Sequence, residues 1–421
     1  MRLGGRPWLL FGALSAVWSI SLHRKSSIAY PHFYSDSRDE PAPGPNTLLN
    51  NWTNSAESAR NDNSSNNTKI ETVLIIATVP YTSEQVMALW THLECITDGI
   101  DRVLISAPDT DWSREIIGSV VQKFNQLLRE SGNKQAISIE AAYYTNNRYD
   151  VGLWCDGLRS HLGFNGDAFP DSDSVDRAIF LINDSGIALR NYESLTNKIV
   201  VAAQIDRRNQ NEEGEGGNSV QVVSLNGHLL KPGEAKYYFV ESVYRGLTPR
   251  AVSTFYKHSC TPDAERVCVG LTGNQKKTCI VNRYEISLSN SFRPLEVDAM
   301  YPSYLPKEWD AKAWEGENGP IKPMDQWRNM KKYFRYLVDV HDFPFRKLKW
   351  PGYGYPHKPP KSHCLELFGG EPWFKAFHEQ LPFPSTTAFE EFQAEMVKSE
   401  STLGDPPTHL DLKGLMNTKV S

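Results

Sequence analysis

The sequence predicts an α/β fold, in which a mostly parallel sheet is flanked by helices and followed by an irregular C-terminal region. Four apolar runs of strand length alternate with stretches of helical spacing between residues 71 and 183. This alternation is typical of a parallel sheet with helices on its faces. Neither GxGxxG after the first strand nor GxxxxGK[ST] occurs, so dinucleotide-binding and P-loop proteins lose their main sequence support.

Each predicted element has a local reason. The strands are predicted at 71–79, 102–107, 136–144 and 176–183, and the helices between them at 83–93, 113–131 and 150–162. The first strand, ETVLIIATV, is continuously apolar, which indicates burial on both faces of a parallel sheet. In the first helix, Val86, Leu89, Trp90 and Leu93 recur at helical spacing.

Charge and cysteine content exclude some classes of function. The chain has 421 residues and a net charge of −5, with 45 Lys and Arg against 50 Asp and Glu. This balance offers no broad basic surface, so we expect no nucleic-acid partner. The six cysteines show no zinc-ligand spacing, and Cys260, Cys268 and Cys279 lie close enough in sequence to form disulfides in an oxidising compartment.

The N-terminal sequence predicts a membrane anchor and a stalk. Pro7–Leu22 is an uncharged, mostly apolar run with basic residues on both sides, so residues 1–25 are predicted to be a cytoplasmic tail and a signal anchor. A cleaved signal peptide is the alternative. Residues 26–70 are rich in Asn, Ser and Pro and are predicted to be a flexible, glycosylated stalk. We therefore expect a single-pass type II protein of the Golgi or ER membrane with a lumenal domain, or a secreted protein if the signal is cleaved.

Polar residues follow the predicted strands, at the edge where open α/β sheets bind their ligands. They are Asp109 after the second strand, Asn147, Arg148 and Asp150 after the third, and Asn183, Asp184 and Ser185 after the fourth. Carboxylate oxygens suit magnesium or manganese and Arg suits phosphate, so this group predicts a site for a phosphorylated sugar donor and a divalent cation. Asp184 is the strongest candidate for a metal ligand. The alternative is that these residues only cap the helices that follow.

Two of these segments resemble a known family. Asn147–Gly152 (NRYDVG) and Val175–Ser185 (VDRAIFLINDS) are similar to the rhamnan synthesis protein F family of glycosyltransferases, and Tyr238–Ser242 (YFVES) and Ile280–Ser289 (IVNRYEISLS) resemble weaker family segments. The likeness covers about residues 71 to 290. It implies a nucleotide-sugar-dependent glycosyltransferase whose donor domain, at 71–300, has a GT-A-like, Rossmann-type fold. The anchor, the stalk and the polar insertion at 207–219 depart from the family.

Sugar transfer with inversion requires a carboxylate base that takes a proton from the acceptor hydroxyl. Glu241 and Glu285 are the candidates, and Glu285 stands in an apolar, strand-like setting in which burial would raise its pKa. The alternative is that both carboxylates pair with nearby arginines. Arg245 and Arg148 are candidate contacts for the donor's diphosphate, and His258 is a candidate cation ligand or diphosphate contact.

The C-terminal sequence predicts two further regions. Residues 301–397 are rich in aromatic residues, which either form a groove for a glycan acceptor or pack onto the sheet. Residues 398–421 are predicted to be a disordered tail. The predicted partners are a nucleotide-sugar donor, a glycan acceptor and a membrane bound through the N-terminal helix. The alternative to a transferase is a non-catalytic lumenal or secreted carbohydrate-binding protein on the same fold, and no GxSxG motif supports a hydrolase.

Overall fold

We describe the fold from a computed structural model. It describes residues 70–96, 99–130, 137–145, 148–169, 176–211, 219–229, 238–240, 244–271, 273–289, 291–292, 296–302, 345–347, 375–401 and 404. The predicted anchor and stalk, Asn147 and Glu241 lie outside these ranges. Within them, no helix combines the length and the apolar character that a membrane crossing requires.

The order of elements follows the sequence pattern closely as far as residue 183. The strands are β1 (Glu71–Ala77), β2 (Arg102–Pro108), β3 (Ser138–Tyr144), β4 (Arg177–Asn183), β5 (Gly186–Ala188), β6 (Val222–Leu229), β7 (Tyr238–Val240), β8 (Tyr244–Leu247), β9 (Val297–Pro302) and β10 (Phe345–Lys347). The helices are α1 (Ser83–Ile96), α2 (Asp111–Glu130), α3 (Tyr149–Asp156), α4 (Glu193–Asn211), α5 (Pro249–Ser259), α6 (Pro262–Arg266), α7 (Gly273–Val281), α8 (Ser287–Ser289) and α9 (Thr386–Ser401). π-Helical turns continue α3 over Gly157–His161 and join α7 to α8 over Asn282–Ile286.

The main sheet has eight strands in the order β3-β2-β1-β4-β8-β6-β7, with β9 also paired to β6. The first four strands in this order are parallel, as the strand–helix alternation predicts. β8 pairs antiparallel with β4, and β6 pairs antiparallel with both β8 and β7. The predicted α/β sheet flanked by helices is therefore confirmed, and its antiparallel half is a feature that the sequence pattern did not predict.

The continuous apolar strands are buried on both faces. In β1, Leu74 and Ile76 join a core that includes side chains of α1, α2 and α4. Val73 and Ile75, which point to the opposite face, join a second core that includes side chains of α3, α5 and α7. Successive strand residues point to opposite faces, so an uninterrupted apolar run is what a strand between two helical layers requires.

Two glycines allow helices to lie close to the sheet. A Cβ at Gly246 in β8 would overlap the side chain of Ile199 in α4, so the close approach of α4 depends on glycine at this position. A Cβ at Gly157, just after α3, would lie 3.2 Å from Leu104 Cδ2 and 3.3 Å from Ile75 Cγ2. The helical layers on both faces are thus packed to contact distance.

Two predictions about the C-terminal half are changed by the structure. Glu285 lies in the π-helical turn between α7 and α8, so the strand-like setting predicted for it is wrong. The backbone there forms a π-helical turn that continues α7 instead of joining the sheet. The helix α9 reaches Ser401, so helical structure extends past the predicted start of the tail at 398.

Parts of the aromatic-rich region pack onto the sheet domain. β10 pairs antiparallel with β5, and Phe345 is buried in the same core as α1. The ring of Phe389 in α9 stacks on Tyr81 with centroids 3.9 Å apart, and Phe392 meets Trp112 edge-on at 5.7 Å. For these aromatic residues the structure supports the packing alternative.

A polar cluster at the carboxyl edge of the sheet

The end of β4 is joined to the first turn of α3 by a short hydrogen-bond network. Asn183, the last residue of β4, is buried, and its Nδ2 donates to Oδ2 of Asp150 at 2.7 Å. The Oδ1 of Asn183 accepts from the backbone N–H of Ser185 at 3.1 Å and from the Ser185 hydroxyl at 2.5 Å. Both ends of the Asn183 amide are therefore used, which fixes its orientation and holds Asp150 beside the turn after β4.

Asp184 links this turn to the end of β1. Its Oδ2 accepts from the Val79 backbone N–H at 2.7 Å and from the Thr78 hydroxyl at 3.0 Å. The Asp184 backbone N–H donates to the carbonyl of Ala77 at 3.2 Å, and the residue is only 9% exposed. A carboxylate held by two donors and by its own backbone has little freedom, so Asp184 is pre-positioned at the edge.

Tyr149 stands next to this network. It opens α3 with a φ of 54°, and it is the non-glycine residue with a positive φ among those the structure describes. Its side chain is 47% exposed, and the ammonium of the buried Lys276 in α7 lies 5.7 Å from its ring centroid. The residue that immediately precedes Asp150 in the chain is therefore a half-exposed tyrosine whose ring lies near a lysine ammonium.

The second strand contributes an exposed ion pair. Asp109 accepts from Arg114 Nε at 2.8 Å, and both side chains are half exposed. The Arg114 guanidinium also lies 4.4 Å above the ring centroid of Tyr143. Asp109 is thus at the predicted edge and paired with the next helix, an arrangement close to the capping alternative.

Arg148 is placed differently from the other predicted residues. Its side chain is 6% exposed, and it donates to Glu265 Oε1 at 2.9 Å and to the Ser259 carbonyl at 3.1 Å. Arg159 donates to the same Glu265 oxygen at 3.0 Å. These contacts tie α3 to α5 and α6, so the geometry favours a structural ion pair over contact with a diphosphate.

Arg245 and His258 belong to a basic group centred on α5 and the π-helical turn after α7. Arg245 in β8 is buried and its Nη1 donates to the Tyr284 carbonyl at 3.4 Å. Arg283 donates to the His258 carbonyl at 2.9 Å. Burial, together with the positive charges of Arg283 and Arg245, lowers the pKa of His258 to about 3. Two guanidinium groups beside a neutral imidazole oppose a bound cation, so this geometry does not favour His258 as a metal ligand.

The atoms that this edge offers to a divalent cation are all oxygens. Asp150, Asn183, Asp184 and Ser185 offer oxygen atoms, which suit magnesium and manganese. The part of the chain that the structure describes contains no group of three or more His, Cys, Asp or Glu side chains arranged to hold a metal. Magnesium in phosphate-binding sites is commonly held by one or two carboxylates together with substrate phosphates. The oxygen donors of this edge are of the kind that magnesium and manganese take.

The sequence interpretation missed Thr78, Val79 and Lys276. Thr78 and Val79 follow β1, which ends at Ala77, but the sequence pattern extended this strand to residue 79, so the rule that sites lie after strands did not reach them. Lys276 approaches Tyr149 from α7, more than a hundred residues further along the chain, and no sequence pattern indicates that contact. Asn147, Glu241 and the side chain of Glu285 lie outside the part of the chain that the structure describes.

No family model and no curated protein matches the chain, so the likeness to the rhamnan synthesis protein F family remains a prediction. Among solved structures, the chain is similar to the mannosyltransferase PcManGT from Pyrobaculum calidifontis in complex with GDP-Man and Mn²⁺, with 11% identity, a TM-score of 0.30, and coverage of 88% of this chain and 85% of that one. It is also similar to the WbbM bifunctional glycosyltransferase in its apo form, with 9% identity, a TM-score of 0.32, and coverage of 76% of this chain and 52% of that one. TM-scores of this size do not establish a shared fold.

Proposed function

We propose that this chain is a glycosyltransferase that moves a sugar from a nucleotide-sugar donor to a glycan acceptor. The observation that carries the proposal is the oxygen-rich cluster at the carboxyl edge of the parallel strands. There, Asp150 and Asn183 are hydrogen-bonded to each other at 2.7 Å, and Asp184 is fixed to the end of β1. The similarity of the NRYDVG and NDS segments to a glycosyltransferase family supports the same conclusion.

The positions of these groups suit a bound diphosphate. Ligands of open α/β sheets lie beyond the carboxyl ends of the strands, where β1, β3 and β4 bring the cluster together. A divalent cation shared between Asp184 and the donor would supply positive charge to the departing diphosphate. The Asn183 amide holds the Asp150 carboxylate in place, and the role proposed for this carboxylate is to orient a sugar hydroxyl or a second ligand of the cation.

The acceptor hydroxyl must lose its proton during transfer, and Glu241 and Glu285 remain the proposed bases. They are distinguished by Glu241→Gln and Glu285→Gln, each tested with an external nucleophile. Loss of transfer that azide restores would identify the base, because azide needs no proton removed before it attacks. If both variants transfer sugar at the unchanged rate, neither carboxylate is the base.

The disulfides support a proposed location in the secretory pathway. Cys155 is bonded to Cys260 and Cys268 to Cys279, and Cys95 is also disulfide-bonded, so every cysteine that the structure describes is oxidised. Structural disulfides form in the ER lumen and in secreted proteins and are rare in the cytosol. We propose a lumenal enzyme held to the Golgi or ER membrane by its N-terminal segment. The lumenal location is tested by treating the expressed full chain with an enzyme that removes N-linked glycans. A decrease in its apparent mass would show that the chain was glycosylated in the lumen.

The test of the activity is release of nucleoside diphosphate by the purified protein. The protein is incubated with UDP-, GDP- and TDP-linked sugars in the presence of Mn²⁺ or Mg²⁺, with glycan acceptors. Asp184→Asn is the central variant, because an amide oxygen can still accept from Thr78 and Val79 while the charge is lost. We expect turnover to fall at least about a hundred-fold, because removing one group that stabilises charge in a transition state typically has an effect of this size.

The matched control is Asp263→Asn, an exposed aspartate on α6 that pairs with Arg266. It removes the same charge away from the cluster and should leave turnover unchanged. If no sugar nucleotide is turned over by the wild-type protein, the transferase proposal fails. Nucleotide-sugar binding without turnover would instead support the non-catalytic carbohydrate-binding alternative.

A further inference from the structure

Tyr149 has a conformation that the fold alone does not explain. A bulky side chain at a φ of 54° is disfavoured by contact between its Cβ and the backbone, and glycine or asparagine is the usual residue at such a position. The strain costs about 1–3 kcal/mol where it occurs at functional sites. A residue chosen only for folding would avoid this cost, so the tyrosine side chain has another use.

Burial does not explain the tyrosine either. At 47% exposure, Tyr149 is the one large aromatic side chain that stays exposed among the described residues. By contrast, large aromatic side chains of the core such as Trp154 and Tyr284 are nearly fully buried. An aromatic side chain left half exposed forfeits about half of the stabilisation that full burial would give.

The surroundings of the ring indicate what it contacts. Tyr149 immediately precedes Asp150, whose carboxylate is hydrogen-bonded to Asn183 at the end of β4. The Lys276 ammonium lies 5.7 Å from the ring centroid and holds the ring by a cation–π contact. An exposed, oriented ring beside an oxygen-rich cluster is suited to a planar group that is attached to a phosphate.

We propose that Tyr149 stacks on the nucleobase of the donor and is the base-binding residue of this site. The inference rests on the proposed function, since it assigns one part of the nucleotide to one side chain. Stacking on an aromatic ring tolerates any base, because every base has a π-face. Tyr149 therefore contributes affinity for nucleotides in general and leaves the choice among bases to other groups.

The test compares Tyr149→Phe and Tyr149→Gly with the wild-type protein by isothermal titration. The probes are UDP, GDP, CDP and TDP in the presence of Mn²⁺, with inorganic pyrophosphate as the probe that lacks a base. We expect Tyr149→Gly to weaken binding of the nucleoside diphosphates about 5-fold to 150-fold and to leave pyrophosphate binding unchanged. Tyr149→Phe keeps the ring and should bind within about 3-fold of wild type.

Folding and binding effects can be separated at this position. Glycine relieves the positive φ, so Tyr149→Gly should melt at the same temperature as wild type or higher, and weaker binding is then not a consequence of unfolding. Equal weakening for pyrophosphate and the nucleoside diphosphates overturns the stacking role, as does an unchanged affinity. If the wild-type protein binds none of the four nucleoside diphosphates, the proposed function fails together with this inference.

Discussion

His92 should make the stability of this protein depend on pH between about 7 and 5. It lies on α1, fully buried, with its ring parallel to Phe345 and its centroid 6.5 Å from that ring. Burial lowers the pKa of His92 from 6.5 to about 3, and the backbone groups of Asn183 and Gly186 that face the ring offset only part of this effect. The imidazole is therefore neutral in the folded protein at every pH in this range.

The expected magnitude follows from the two pKa values. In the unfolded chain His92 binds a proton as the pH falls below 6.5, whereas in the folded protein it stays neutral until about pH 3. Because the unfolded state binds more protons, the free energy of unfolding rises with pH over this range and falls as the solution is acidified. Integrated from pH 7 to pH 5, this one group removes about 2 kcal/mol of stability.

The assay compares wild type with His92→Gln by urea unfolding at pH 7 and pH 5. Glutamine occupies a similar length and does not titrate, so the difference between the two proteins isolates this histidine from the carboxylates they share. We expect wild type to lose about 2 kcal/mol more than the variant on acidification. If the free energy of unfolding falls equally in the two proteins between pH 7 and pH 5, His92 is not buried as a neutral imidazole and the reasoning is refuted.

Three further predictions test the packing, the cross-links and a buried acid. Gly246→Ala should lower the free energy of unfolding by about 1–3 kcal/mol, because the new Cβ would overlap Ile199 of α4. Gly118→Ala, on the open face of α2, should raise the free energy of unfolding by about 0.5–1 kcal/mol. Urea unfolding measures both, and opposite or equal shifts would contradict this packing. Replacing Cys155 and Cys260 by alanine opens a loop of 105 residues and should cost about 4–5 kcal/mol, measured by calorimetry, whereas an unchanged melting temperature would show that this pair does not cross-link the fold. Burial raises the pKa of Glu94 to about 8, so its contribution to stability falls as pH rises above 4.5, and the glutamine variant should be about 2–3 kcal/mol more stable at pH 7; a less stable variant would refute this.

Most of the parallel half of the fold could be predicted because its signal is local. An apolar run such as ETVLIIATV forms β1 because both faces of the sheet are covered, and the helix that follows repeats its apolar residues at helical spacing. β8 has only four residues, and β6, although eight residues long, has polar residues in place of a continuous apolar run. Their pairing depends on contacts between distant segments, which a local pattern does not contain.

The candidate site was predictable in part for the same reason. The rule that sites follow strands brought Asn183, Asp184 and Asp150 together in advance, since strand ends are readable from the sequence. The rule did not separate these residues from Arg148, which follows β3 as Asp150 does but forms an ion pair with Glu265. Which way a side chain points after a strand ends is decided by the helices packed around it.

The location of the site is tested most directly by the structure of the full chain crystallised with Mn²⁺ and the nucleoside diphosphate that it binds most tightly. The arrangement described above predicts the diphosphate at the carboxyl edge of β1 and β4, with the cation in contact with Asp184 and the base on Tyr149. A nucleotide bound elsewhere, with Asp150, Asn183 and Asp184 unchanged and without a ligand, would contradict it.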